Sequence, residues 1–418
     1  MSRSPRLQFK TSHRMRISTQ DLVPGMYVAE LDRPWEETPF LFQGFVVETL
    51  EDVETVRRYC QHVIIDQQKV VRLDRQPRKH KHKRRRISSR TAPPPLAERL
   101  PRALDHYHHS SRVIGDIMDD VRLGKAIDTP AAKEAVAECV EEVMQSPDTA
   151  LLLSRIRHKD EYTSQHSLSV SLLSIALGRS LGMSREQLNE VGLCGLLHDV
   201  GKVLTPDEVL KKPGRLTVEE MEIMKQHPVD GRNILLSTDG VTRVALDVAH
   251  AHHERLNGTG YPRGLKAGQI TPYTKIVAIA DTYDAITSDR VYDTGRPPTE
   301  AFNILWRGIG KQWDTRMVAH FIKTIGLYAP GTIVELTTRE LAVVIAPNRD
   351  RRLAPQVLVL PAPGEPIESA RLLDLAEQQV RNSDHPIHIQ RMRTTADTGV
   401  DLQALVEQGL LDNVIHQP

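Results

Sequence analysis

The chain has 418 residues, 39% of them hydrophobic, and a formal net charge of +1. That length suits about two or three domains with a sizeable core, and the near-neutral charge makes bulk nucleic-acid binding unlikely. No apolar run is long enough to span a bilayer, and the N-terminus MSRSPRLQFK lacks a signal-peptide core, so a cytoplasmic protein with no membrane span is expected. Cys60, Cys139 and Cys194 lie far apart without metal-finger spacing and read as reduced thiols.

In chain order, residues 16–73 read as a small α+β unit. A turn at Pro24-Gly25 precedes an apolar strand, Gly44 opens a second strand, residues 51–60 look helical, and residues 62–66 close as a strand. The unit has no cluster of ligands or nucleophiles, so a sensory or docking role is expected, and 1–74 is taken as an accessory domain. Residues 75–97 change composition, with RKHKHKRRR at 78–86 and three prolines at 93–95. Like charges repel and cannot build a core, which gives a solvated linker. An anion-binding arm is the alternative, weakened by the lack of aromatic residues to stack on bases.

Beyond the linker, apolar residues recur at helical spacing over 100–121 and 130–144, with Asp128 as a cap and Pro130 in the first turn. Further helices are predicted over 161–181, from Ser184 to the Leu196-Leu197 run, and over 217–226, 228–236, 241–252, 274–288 and 299–307. No strand pattern interrupts them, so 98–143 form connecting helices and 144–329 an all-α bundle. The tail, 330–418, has three stretches of strand composition and reads as a small β-rich appendage. The fold class is therefore multidomain and mainly α.

The stretch Gly195-Leu-Leu-His198-Asp199-Val-Gly201-Lys202 ends an apolar helix with two metal-ligating side chain types. An imidazole gives one metal a nitrogen, whereas a carboxylate can bridge two metals. Gly201 would permit a sharp turn, and Lys202 would bring a positive charge to a bound anion. Alone, the dipeptide is an ordinary helix end. Other potential ligands accumulate along the helical region, namely His166, His227, His252, His253 and Asp281, and converging helices are how bundles build di-metal sites. Adjacent His252 and His253 point in different directions on a helix, so one is expected to face each metal if the helix ends there. The stretch Glu254-Arg-Leu-Asn257-Gly258-Thr-Gly260-Tyr261-Pro262 then makes a shaped loop beside them.

At this point the sequence resembles the HD-GYP domains, bacterial metal-dependent phosphodiesterases of the HD phosphohydrolase fold. The resemblance covers roughly residues 144–327 and rests on DEYTSQH ending at His166, HDVGK at 198–202, KPGRLT at 212–217, HHE with the Gly260-Tyr261-Pro262 loop, and DTYDAITSDR at 281–290. The N-terminal unit resembles a small domain that often precedes them. The resemblance implies metal ligation by His166, His198, Asp199, His227, His252, His253 and Asp281, with Asp199 as the bridge. It also implies catalytic roles for Asp199 and Lys202, and substrate contacts from Lys202, Arg290 and Tyr261. Asp284 shares a helix face with Asp281 and would orient a ligand or Lys202.

Three departures from the family pattern stand out. Tyr162 occupies the position where some members place a glutamate for a third metal, so two divalent transition metal ions (Mn, Fe, Ni or Zn) are expected. Asn257 replaces an aspartate, keeping hydrogen-bonding shape without the charge and leaving the chemistry intact, whereas Asp293 replaces a basic residue and puts substrate affinity or the linear-versus-cyclic preference in doubt. The implied reaction is hydrolysis of cyclic di-GMP to linear pGpG, with GMP as a further product, by water activated between two cations. Two alternatives stay open: a weakly active or non-enzymatic regulator that binds nucleotide or protein, and a hydrolase of another phosphate ester. Implied partners are cyclic di-GMP and, through the Gly-Tyr-Pro loop, diguanylate cyclase (GGDEF) proteins; a homodimer is compatible with the chain.

Overall fold

A computed structural model describes residues 14–23, 26–34, 38, 44–47, 50–66, 96–155, 162–288, 295–348, 351–362, 364–381 and 386–411. The Pro24-Gly25 turn and the basic stretch at 78–86 lie outside the described residues. The chain divides into two compact units, Met1–Arg90 and Thr91–Pro418.

In the first unit, strands β1 (Arg14–Ser18), β2 (Tyr27–Leu31), β3 (Phe45–Val46) and β4 (His62–Asp66) form an antiparallel sheet in the order β1-β4-β2-β3. Helix α1 (Leu50–Tyr59) buries Val53 and Val56 with Val28, Val63 and Ile65 of the sheet. Strand β4 alternates buried and half-buried residues, as a sheet with one covered face requires. The unit is α+β, as its sequence pattern predicts. Strand β1 is an addition, and its outward Arg14 and Arg16 gave it no apolar signature.

The second unit opens with α2 (Leu96–Arg122), α3 (Thr129–Gln145) and α4 (Pro147–Leu153). Asp128 caps α3 by accepting from the Ala131 N–H at 2.9 Å. At the centre lie α5 (Tyr162–Ser180) and α6 (Arg185–Leu197). Helix α5 is buried on nearly every side from Ser164 to Leu177, and two of its interior serines bond to backbone: Ser171 to the Gly192 carbonyl at 2.8 Å and Ser169 to the Ser154 carbonyl at 3.0 Å. The two helices approach so closely that a Cβ on Gly195 would lie 2.8 Å from Ser171 Cα.

A 3-10 turn over Val200–Leu204 follows, then α7 (Asp207–Leu210), α8 (Val218–Met224), α9 (His227–Leu236), α10 (Arg243–Ala251), α11 (Pro272–Thr287), α12 (Pro298–Arg307) and α13 (Thr315–Ile325). The tail forms a five-stranded antiparallel sheet of β5 (Ile333–Leu336), β6 (Leu341–Ala346), β7 (Gln356–Val359), β8 (Arg371–Asp374) and β9 (Ile389–Arg393), in the order β8-β7-β6-β5-β9. Short helices α14 (Leu375–Arg381), α15 (Thr395–Thr398) and α16 (Leu402–Glu407) accompany it. The sheet is not detached from the helices. Leu152 of α4 shares an apolar cluster with Val343, Ile345, Leu358 and Leu410.

Candidate metal centre

Four helix ends deliver the ligand-type side chains. His166 projects from α5, His198 and Asp199 follow the end of α6, His227 begins α9, and His252 and His253 follow α10. Asp281 comes from the middle of α11. Except for half-buried His253, all of these residues are buried.

Their donor atoms gather in two groups that share Asp199. In the first, Asp199 Oδ2 lies 3.4 Å from His166 Nε2 and 3.3 Å from His198 Nε2. Asp281 Oδ1 joins them, 3.2 Å from His166 Nε2 and 3.9 Å from His198 Nε2. In the second, Asp199 Oδ1 lies 3.3 Å from His227 Nε2 and 3.5 Å from His252 Nε2, and a ring nitrogen of His253 falls within 4.8 Å of all three. Bonds of about 2.1 Å to a divalent cation would place neighbouring donors roughly 3.0–3.4 Å apart, so both groups suit a cation.

The outer ring nitrogens show which way each imidazole presents its lone pair. Nδ1 of His198 donates to the Gly195 carbonyl at 2.8 Å, that of His227 to the Met224 carbonyl at 2.7 Å, and that of His252 to the Ala249 carbonyl at 3.0 Å. His166 Nδ1 bonds Asp284 Oδ2 at 2.6 Å. Each Nε2 is thereby turned inward, and in a neutral ring held this way it is the acceptor. With both rings neutral, the Nε2 atoms of His227 and His252 therefore face each other at 3.2 Å as two lone pairs. His198 Nε2 and Asp199 Oδ1 are buried without a hydrogen-bond partner. Opposed lone pairs and orphaned buried acceptors are costly alone, and a cation removes the cost. The residues therefore fit divalent metal.

The electrostatics follow from this crowding. Burial opposes charge on Asp199, but His198, Lys202 and His166 outweigh it and hold the carboxyl well below its usual range. Asp281 is lowered in the same way, burial being outweighed by His166, His198 and His253. Burial also opposes charge on His166, but contacts with Asp199, Asp281 and Asp284 raise its pKa well above that of a free imidazole. Burial pushes His227 down to about 3 against the pull of Asp199, and drives His253 well below its usual value.

Lys202, on the 3-10 turn, donates to Asp199 Oδ2. Tyr261 stacks on His253, with ring centroids 4.7 Å apart, and Lys225 Nζ lies 5.9 Å from the Tyr261 centroid. Burial raises the Tyr261 hydroxyl above its normal range. Arg290 and Asp293 lie outside the described residues, as does Glu161, and nothing is described of the Tyr162 side chain.

One expectation needs correction. His252 and His253 do not face separate groups: α10 stops at Ala251, the following turn swings His253 back, and both rings join Asp199 and His227, with centroids 4.1 Å apart. Gly201 does lie in a sharp turn, the 3-10 turn at Val200–Leu204, and its φ is not positive. A Cβ on it would lie 2.0 Å from the His227 carbonyl oxygen and 2.3 Å from Gly231 N, so the glycine lets the turn press against α9. Sequence reasoning also gave Glu254 no role. Its buried carboxylate accepts from the Arg263 N–H at 2.7 Å and the Leu265 N–H at 2.8 Å, closing the loop that carries Tyr261. Gly260 lies where a Cβ would meet Arg255 N at 2.4 Å. Asn257 Oδ1 accepts from the Thr259 hydroxyl at 2.8 Å and its N–H at 3.1 Å, a turn-forming role that needs no charge.

A helical bundle with a paired histidine and carboxylate centre defines an HD-type phosphohydrolase. The "HD domain" family model matches residues 150–339, and a "Domain of unknown function (DUF3391)" matches residues 14–132. The chain is 35% identical over 352 residues to the cyclic di-GMP phosphodiesterase PA4108 of Pseudomonas aeruginosa, covering 82% of this chain and 84% of that protein. It is 41% identical over 167 residues to a cyclic di-GMP phosphodiesterase of Thermotoga maritima, covering 40% of this chain and 45% of that one. A 3'3'-cGAMP-specific phosphodiesterase 1 of Vibrio cholerae is 39% identical over 166 residues, covering 40% of this chain and 38% of that protein. The chain belongs to the HD-GYP family.

Proposed function

We propose that this protein is a metal-dependent phosphodiesterase that hydrolyses cyclic di-GMP to linear pGpG, lowering the second messenger, with GMP as the product of a further cleavage. The observation that carries the reading is Asp199: each of its carboxylate oxygens faces a different pair of histidine Nε2 atoms. That arrangement supports a site for two divalent transition ions, Mn, Fe, Ni or Zn, which Asp199 would share. His166, His198 and Asp281 would hold one, and His227, His252 and His253 the other. When bound, such ions supply a nucleophilic water near neutral pH and offset charge on the phosphate.

The chain's own groups do the rest. Lys202, held at Asp199, is placed to neutralise a non-bridging phosphate oxygen as charge builds there. Asp284 keeps the His166 ring fixed, while the loop closed by Glu254 holds Tyr261 beside His253 for substrate contact, with Arg290 as a second phosphate grip. Water adds to phosphorus, the bond to the 3′-oxygen breaks, and the products carry a 5′-phosphate and a free 3′-hydroxyl. The same loop is the proposed docking point for GGDEF proteins. A cytoplasmic setting is proposed from the three buried free thiols, and the five-part division drawn from the sequence remains the proposed domain plan.

Chromatography of metal-loaded protein incubated with cyclic di-GMP tests the reading directly. Wild type is expected to yield pGpG, and the double variant His198→Ala, Asp199→Ala none. Undiminished turnover in that variant would overturn the mechanism. A parallel incubation with 3'3'-cGAMP reads the substrate preference.

A further inference from the structure

The metal centre draws on the middle of α11, and the end of that helix is held by a residue so far without a role. Arg155 Nη1 donates to the carbonyl oxygen of Thr287, the last residue of α11, at 2.7 Å. The final carbonyls of a helix lack partners within it, and a cation there opposes the negative end of the helix dipole. Thr287 lies one turn beyond Asp284, whose carboxylate fixes the His166 ring. A Cβ on Gly295 would also come 2.4 Å from the Thr287 oxygen, and Thr287 is buried.

Arg155 is itself trapped by the C-terminal sheet. Gly331, with φ +83°, lies where a Cβ would meet Arg155 Cβ at 2.7 Å and Cγ at 2.8 Å. The Gly331 N–H is anchored to the Val344 carbonyl in β6 at 2.7 Å. The Arg155 N–H bonds the Leu152 carbonyl at 3.0 Å, and Leu152 packs into the cluster formed by β6 and β7. The path from sheet to site is thus continuous: β6, Gly331, the Arg155 stem, the Thr287 carbonyl, Asp284 and His166.

We infer that Arg155 is a positioning residue through which the C-terminal sheet fixes the end of α11 and, by way of Asp284, the orientation of His166. The inference rests on the reading of His166 as a metal ligand. It makes the sheet a working part of the catalytic unit.

The test uses full-length protein in three variants. Arg155→Met keeps the stem against Gly331 and loses the hydrogen bond, Arg155→Lys keeps a cation, and Gly331→Ala pushes on the stem from the sheet side. The first readout is the His166 Nδ1 proton in metal-free protein labelled with 15N-histidine, compared with that of His198, which is held by the Gly195 carbonyl and serves as an internal control. The second is Mn²⁺ affinity from chelator competition, and the third is the separation of kcat from KM.

For Arg155→Met and Gly331→Ala, the His166 signal should shift while that of His198 stays. Mn²⁺ affinity should fall about tenfold, as is typical for loss of a group that orients a ligand, and kcat should fall more than KM rises. Arg155→Lys should recover most of the wild-type behaviour. A folded Arg155→Met protein with an unmoved His166 signal and wild-type Mn²⁺ affinity overturns the inference. If Arg155→Met does not fold, an unmoved His166 signal in Gly331→Ala overturns it equally. Wild-type protein that binds Mn²⁺ but leaves cyclic di-GMP intact would sink the functional reading alone, because the first two readouts would still decide the role of Arg155.

Discussion

Gly201 shows how tightly the centre is assembled at the scale of one residue. A methyl group there meets backbone, the His227 carbonyl and Gly231, which no rotamer change can relieve. Gly201→Ala should therefore cost at least about 3 kcal/mol, the upper part of the range for overpacking, and should displace His227. Thermal unfolding with and without Mn²⁺ checks this, and an unchanged transition would show that the turn has slack. The protonation states make a second prediction. In the metal-free protein His166 is held protonated by its carboxylate neighbours, whereas His227 and His253 are held neutral by burial. A cation must displace a proton from His166 but none from His227 or His253. Affinity of the His166 group should thus rise with pH until His166 would lose its proton unaided, then flatten. His227 should contribute no pH dependence of its own above about pH 5, well clear of the value of about 3 at which burial sets its ring. Calorimetry in buffers of different ionisation enthalpy should find more proton release on filling the His166 group than on filling the His227 group. Equal release in both would refute the assignment. The donors were legible in the sequence because residue type and order carry them. Gly201 was legible as a glycine and not as a contact, since its reason lies in a segment distant along the chain.

Whole elements were legible wherever period and caps agreed. Helix α11 begins at Thr271-Pro272, whose threonine accepts from the Thr274 N–H at 3.2 Å, and the sequence placed it to within two residues. Helix α13 carried the same kind of signal, with Asp314 as cap and Val318, Phe321, Ile322 and Ile325 buried on one face, yet the sequence reading passed over it. Strands β8 and β9 were harder, because charged residues interrupt their short apolar runs. The loop from Glu254 to Leu265 had recognisable glycines but a hidden fastening. Removing the Glu254 carboxylate by Glu254→Ala would leave two partly buried N–H groups without acceptors, at about 1–3 kcal/mol. Because the loss falls on the loop carrying Tyr261, KM for cyclic di-GMP should rise several-fold while Mn²⁺ binding stays near wild type. Glu254→Gln, which keeps one acceptor oxygen, should fall between the two. A wild-type KM in Glu254→Ala would remove the loop from substrate binding.

At the scale of the whole molecule, composition marked the break between the front unit and the helices, but the tail read as separable because strand pattern alone does not reveal what a sheet packs against. Leu152, 1% exposed in α4, lies among tail residues, and the stem of Arg155 is pinned by Gly331. The helix just before the one bearing His166 is therefore completed by residues beyond 329. A chain of residues 91–418 keeps the whole second unit, including both apolar clusters of its sheet, and should fold and bind Mn²⁺ without the front unit. A chain ending at residue 329 exposes Leu152, for which re-exposure alone costs roughly 1.5–3 kcal/mol, and also frees the Arg155 stem. Of a marginal total stability of about 5–15 kcal/mol, that is a large fraction. The shorter chain should melt at a lower temperature and bind Mn²⁺ more weakly than residues 91–418. Matched melting curves and chelator competition for the two fragments decide it: equal values would mean that the sheet is a passenger on a bundle complete without it.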